Sequence, residues 1–137
     1  MPARRHTLAA LALGGLAPAA ALARDVKRRP EALRRFASPA GAFELEVRRR
    51  EEGGGSQVDA RMFARRAGDR SPLWARPLPH RLGPALALVS DDGKTVLVDE
   101  WIRTPSPHAL MLLDAKGTTV GSYSAADIAA ISGLPAA

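Results

Sequence analysis

Between Ala85 and Tyr123 the chain runs as short apolar stretches, most of them stopped by a turn rich in Asp and Gly. Ala85-Leu86-Ala87-Leu88-Val89 leads into Ser90-Asp91-Asp92-Gly93, and Lys94-Thr95-Val96-Leu97-Val98 follows. After a loop through Trp101 and Pro107, Ala109-Leu110-Met111-Leu112-Leu113 leads into Asp114-Ala115-Lys116-Gly117. Such stretches are shorter than a core helix, and their punctuation is that of neighbouring antiparallel strands. Both alternating faces of these strands are apolar, which predicts a sheet covered on both sides. Leu97 and Leu112 are expected in its core.

A length of 137 residues predicts one domain. Cysteine is absent, which excludes disulfides, thiolate metal sites and cysteine nucleophiles. Residues 1–23 have the form of an export signal peptide. Arg4 and Arg5 make a positive start, Leu8 to Ala20 an apolar middle, and Ala21-Leu22-Ala23 a small-x-small cleavage site before Arg24. The apolar part falls short of the roughly 20 residues a membrane helix needs and contains Gly14, Gly15 and Pro18, which argues against an anchor. Arg4-Arg5 also admits the twin-arginine route, although His6-Thr7-Leu8 matches that signal loosely. The expected location is therefore periplasmic or extracellular, with no transmembrane anchor in the mature chain. Loss of this segment removes Arg4 and Arg5 and lowers the formal charge from +6 to +4. The basic residues are nearly all arginine, a bias that a GC-rich genome also produces.

Residues 24–37 read as a basic N-terminal arm, either extended or mobile, or with Leu33 and Phe36 on one turn of helix. A single β domain is expected over 38–137, built from two similar units at about 38–80 and 84–123. Ser38-Pro39-Ala40-Gly41 is a turn, after which Phe43, Leu45 and Val47 alternate with Glu44, Glu46 and Arg48. Glu51 to Ser56 reads as a Gly-rich connection, and Val58, Ala60, Met62 and Ala64 mark the next strand. Ala67-Gly68-Asp69 turns the chain into Leu73-Trp74-Ala75-Arg76, and Pro77, Pro79 and Pro84 predict an irregular connection. A terminal helix is expected over 124–132. Ser124 is its N-cap, Asp127 completes a capping box, Tyr123 and Ile128 form a staple, and Gly133 ends it. It is expected to lie across an edge or face of the sheet.

The two halves correspond. Ser38-Pro39-Ala40-Gly41 and Ser90-Asp91-Asp92-Gly93 each open a strand, and Gly68 and Gly117 each mark the turn after the second strand. This spacing indicates duplication of one antiparallel meander. The Ser-x-x-Gly turn before an apolar strand, with Asp-x-x-Gly two strands later, resembles the blade repeat of β-propeller proteins. Ser90-Asp91-Asp92-Gly93, Asp99-Glu100-Trp101, Leu112-Leu113-Asp114, Gly117 and Tyr123-Ser124 also resemble the pattern of a group of small uncharacterised exported bacterial proteins. The likeness spans about residues 38–128 and implies a fold without an assigned activity. A closed propeller needs about four blades, and this chain has room for two. The predicted class is thus all-β, a duplicated meander of two propeller-blade-like or sandwich-like sheets with a short C-terminal helix.

Few motifs point to chemistry. Asp91-Asp92-Gly93 lacks the spaced oxygen ligands of a calcium loop and reads as a turn. Asp99 and Glu100, as strand neighbours, point to opposite faces and cannot converge on one atom. His80 and His108 sit beside prolines without metal-ligand spacing, and no Gly-x-Ser-x-Gly elbow occurs. Catalytic residues, metal sites and cofactors are therefore not expected. Arg48-Arg49-Arg50 and Arg65-Arg66 would form a basic patch if their strand ends meet, with Glu44, Glu46, Glu51 and Glu52 near enough to neutralise much of it. Nucleic acid is not an expected partner for an exported chain with 4% aromatics. The loop from Trp101 to His108 is longer than its strands require and carries Trp101, Arg103 and His108 as candidate binding residues. Alternatively, Trp101 folds back to plug the core. The expected function is a non-catalytic binding or structural module of the bacterial envelope, with an unknown protein or an anionic ligand as partner. The alternative is a small hydrolase, or an enzyme accessory subunit, using His80 or His108.

Overall fold

The structure, a computed structural model, describes residues 30–99 and 106–133. The signal-like segment, the first part of the basic arm, Glu100, Trp101 and Arg103 lie outside the described residues. Two four-stranded antiparallel meanders follow each other along the chain. The first contains β1 (Leu33–Ala37), β2 (Phe43–Glu52), β3 (Gly55–Arg66) and β4 (Asp69–Leu78). The second contains β5 (Leu86–Val89), β6 (Thr95–Val98), β7 (Leu110–Leu113) and β8 (Thr119–Tyr123), and α1 (Ala125–Ser132) follows it. The expected class, a duplicated meander with a terminal helix, is the one observed.

The duplication is written in the turns. Between β1 and β2, Gly41 N donates to the Ser38 carbonyl at 2.8 Å, and Ser38 Oγ accepts from Phe43 N at 3.2 Å. Between β5 and β6, Gly93 N donates to the Ser90 carbonyl at 3.0 Å, and Ser90 Oγ accepts from Lys94 N at 3.0 Å. Asp114 repeats the device before β8, its Oδ1 accepting from Lys116 N at 2.9 Å and Thr118 N at 2.8 Å. Gly93 and Gly117 close their turns at φ +82° and +79°, where a Cβ would be strained. Asp92 is bound into its turn by Ser90 Oγ and by Lys94 at 2.7 Å, and its carboxyl falls to about 2 through those contacts, Lys94 first. Asp91 Oδ1 accepts from Ala40 N at 2.8 Å, tying this turn to its counterpart in the first half.

Several boundaries differ from the sequence reading. The last five residues of the expected arm are β1, paired with β2 from Leu33↔Arg48 to Ala37↔Glu44. Its alternation was hidden because Arg34 occupies an inward position beside Phe36. The Arg34 guanidinium donates to the carbonyls of Pro84 and of Ala85 (3.1 Å), joining β1 to the approach to β5. The expected 51–56 connection shrinks to Gly53-Gly54, both at positive φ, as a tight hairpin requires. Pro72 and Pro77 lie within β4, which tolerates them because it is an edge strand.

The sheets pack face to face around one core. Leu45, Val47, Val58, Ala60, Met62 and Leu78 from the first meet Ala87, Val89, Leu97, Met111 and Leu113 from the second. Leu97 is fully buried, as expected. Leu112 is not in this core: it pairs with Val96, while Met111 pairs with Leu97, so Leu112 lies on the opposite face. A strand reading Leu-Met-Leu-Leu carries no parity to choose between the faces. The expected cover on both sides is also not found among the described residues. Leu86, Val98, Leu110 and Tyr123 form one outward row across the second sheet, and Leu88, Val96, Leu112 and Gly121 form the next. Leu86 is 45% exposed and Leu88 56%.

At the far edge, β4 clasps the second half. Trp74 Nε1 donates to the Ala115 carbonyl at 3.1 Å, and Arg76 Nη1 donates to the Gly117 carbonyl at 2.6 Å and Thr119 Oγ1 at 3.0 Å. A Cβ at Gly117 would stand 2.6 Å from the Trp74 ring, so only glycine admits the indole there. The capping box of α1 forms as expected, with Ser124 Oγ accepting from Asp127 N and Ser124 N donating to Asp127 Oδ2. Gly133 ends the helix at φ +68°. No residue of α1 is buried, and the helix touches β8 at the sheet edge. No described helix is long and apolar enough to cross a membrane.

Candidate functional site

His80 follows β4, His108 precedes β7 and Asp99 ends the run out of β6, so the topology brings all three to one end of the sandwich. The imidazoles of His80 and His108 meet edge to face with centroids 6.1 Å apart. His80 is 2% exposed, and with its Nε2 3.3 Å from the His108 carbonyl, that nitrogen carries the proton and donates. Burial pushes the His80 pKa down, helped by His108. The Asp99 charge and the carbonyl contact oppose this without reversing it. His80 Nδ1 and Asp99 Oδ1 are buried without a hydrogen-bond partner among the described residues.

Asp99 and Ser106 clamp the base of the loop that carries Trp101 and Arg103. Ser106 Oγ donates to Asp99 Oδ2 at 2.7 Å and accepts from His108 N at 3.1 Å, while Asp99 N donates to the Ala109 carbonyl at 2.9 Å. Of the three expected binding residues, His108 alone is described, and it stands at the loop's return. Its Nδ1 lies 3.0 Å from Ser122 Oγ on β8. A hydroxyl within reach of an imidazole is the starting geometry of a nucleophile and base. Here, however, the Asp99 carboxylate engages Ser106 rather than orienting His108, so a Ser-His-Asp relay is not assembled. Among the described residues, no group of three His, Asp or Glu side chains could hold a metal ion.

The basic patch takes another form than the sequence suggested. Antiparallel pairing places Arg48 opposite Asp59 and Arg65 opposite Arg70, so the two arginine clusters lie at opposite ends of the β2–β3 pair and do not meet. Arginines from four strands instead gather round two glutamates on the outer face of the first sheet. Arg70 contacts both Glu44 and Glu46 at 2.9 Å, Arg65 reaches Glu44 at 3.1 Å, and Arg35 and Arg48 reach Glu46 at 3.2 and 3.4 Å. Glu46 is 3% exposed. Burial alone raises its carboxyl, but hydrogen bonds and charge from Arg70 and Arg35 outweigh this and hold it below the usual value. The Arg70 guanidinium stacks 3.5 Å above the Phe63 ring. This network was legible only as a count of charges, because its centre depends on strand register.

The fold and these sites define an all-β sandwich of two meanders with a clamped loop at one end. Scans against protein-family models, curated proteins and solved structures each returned no match.

Proposed function

We propose that this chain is an exported, non-catalytic binding or structural module of the bacterial cell envelope. The observation that carries the reading is the aliphatic outer face of the second sheet. Its two rows hold no charged side chain, and a contiguous apolar patch of this kind marks a contact surface. The loop clamped by Asp99 and Ser106, with Trp101, Arg103 and His108, is the second expected contact. Rigid bases and short aromatic or cationic anchors favour recognition.

A photo-crosslinking residue at Leu88 in cells making the full chain should give adducts, while the same residue at Arg61 on the charged face should give few. Envelope-derived protein should begin at Arg24. Intact Met1 in a cytosolic fraction, or no adduct at Leu88, would overturn the proposal. Trp101→Ala should leave the melting temperature nearly unchanged while reducing adducts near the loop.

The Ser122–His108 contact favours one alternative, a small hydrolase. A fluorophosphonate probe that labels the chain, and fails on Ser122→Ala, would transfer the assignment to that class.

A further inference from the structure

We propose that the aliphatic face of the second sheet is the contact between two copies of this chain, stacked sheet on sheet about a two-fold axis. The inference rests on the binding-module reading and names its partner. Leu86 and Leu88 are half exposed, and nothing among the described residues covers the two outward rows. The surface that fits is flat, apolar and about one small sheet in size.

A second copy offers two sheet faces. Its first sheet presents the arginine and glutamate network, and seating Leu88 on it would strip water from Arg35, Arg48 and Arg65, each about half exposed at the side chain. Desolvating such charges against aliphatic carbon is costly. Its second sheet presents the same two aliphatic rows, which meet like with like across a two-fold axis. Head-to-tail stacking is thereby disfavoured, and the assembly closes at two copies. Edge pairing is also poorly served, since β5 and β8 are only 4 and 5 residues long.

The size of the face sets the strength of the contact. Four strands about 4.8 Å apart and four residues at about 3.4 Å each give a face of roughly 19 by 14 Å. A standard stable interface buries about 800 Å² per partner, several times that footprint. The dimer is therefore reversible and dependent on concentration. Beside β8, α1 has no buried residue and leaves Ile131 75% exposed, so it is the element placed to widen the contact.

Sedimentation velocity on the full chain across concentrations is the test. The native chain should move from one to two copies. Leu88→Glu should weaken association at least tenfold with an unchanged melt in dilute solution, and Arg61→Glu should leave it intact. Because the chain has no cysteine, spin labels at Leu88→Cys and Arg61→Cys report on geometry. Backbone separations between copies should be under about 20 Å at Leu88 and about 30 Å or more at Arg61, since sheets stack about 10 Å apart. Association that survives Leu88→Glu would overturn the proposal by placing the contact elsewhere. A native chain that stays monomeric also overturns it, and dye binding then separates two cases. If an anilinonaphthalene sulfonate dye binds and Leu88→Glu abolishes the binding, the face is open to another partner and the module reading stands. If no dye binds, the chain covers its own face and both readings fall.

Discussion

Seen from outside, the first sheet presents Arg35, Glu44, Glu46, Arg48, Arg61 and Arg65, and the second presents Leu86, Leu88, Val96, Val98, Leu110 and Leu112. Inside, the two are alike, contributing aliphatic side chains to one core and closing their first hairpins with the same Ser-x-x-Gly turn. Turn chemistry and inward alternation are therefore enough to build each meander. Outward positions are free of that duty, so their contents report what each half faces in use. One half is finished against water, and the other is finished against something apolar.

The largest expected effect tests whether inside and outside are assigned correctly in the second sheet. Leu97→Ala should cost about 2–5 kcal/mol in a denaturant titration of dilute protein, the range for a fully buried leucine. Leu88→Ala, one face away, should cost well under half as much, and equal losses would erase the distinction between the faces. Next comes the join between the halves. Gly117→Ala should cost about 2–4 kcal/mol, combining left-handed strain with a collision against Trp74. Gly54→Ala, at φ +85° but in open space, should show the strain alone.

A smaller effect isolates the charged face. Glu46→Ala should cost about 1–3 kcal/mol by leaving its arginines without their carboxylate. Since the folded Glu46 pKa lies below the ordinary 4.5, its contribution is present above that pH and is lost as pH falls through the folded value. Glu46→Gln should flatten that part of the acid titration. The His80 effect falls in a separate window. Its folded pKa lies below the ordinary 6.5, so its neutral form supports the fold above that pH, and the support is lost as pH falls below it. His80→Gln should remove the step near pH 6 and leave the Glu46 step in place. Smallest of all, Arg61→Ala should change stability by no more than about 0.5 kcal/mol.

The legible part of this molecule was local. Ser38 to Gly41, Ser90 to Gly93, Asp114 to Gly117 and the Ser124–Asp127 box declare themselves within four residues, because each turn satisfies its own backbone groups. Strand β1 was missed because an inward arginine, Arg34, breaks the pattern while its guanidinium finds carbonyls 50 and 51 residues away. Leu112 was misplaced because an all-apolar strand has no phase. The meeting of His80, His108 and Asp99 was not legible either, since it arises where three connections end at one pole. Nor was the Arg70 contact with both glutamates, which needs the register of β2 against β3 and β4.

The clasp of β4 over the Asp114–Gly117 turn bears on the order of assembly. Every pairing within a meander joins strands adjacent in the chain, whereas Trp74 and Arg76 reach 41 to 43 residues ahead. Short loops close before long ones, so the expected order is two hairpin-built sheets first and their union afterwards. Trp74 sits at that union, and the chain has two tryptophans in all. With Trp101→Phe, its fluorescence becomes a clock for the joining step alone, and refolding followed by far-ultraviolet dichroism should run ahead of it.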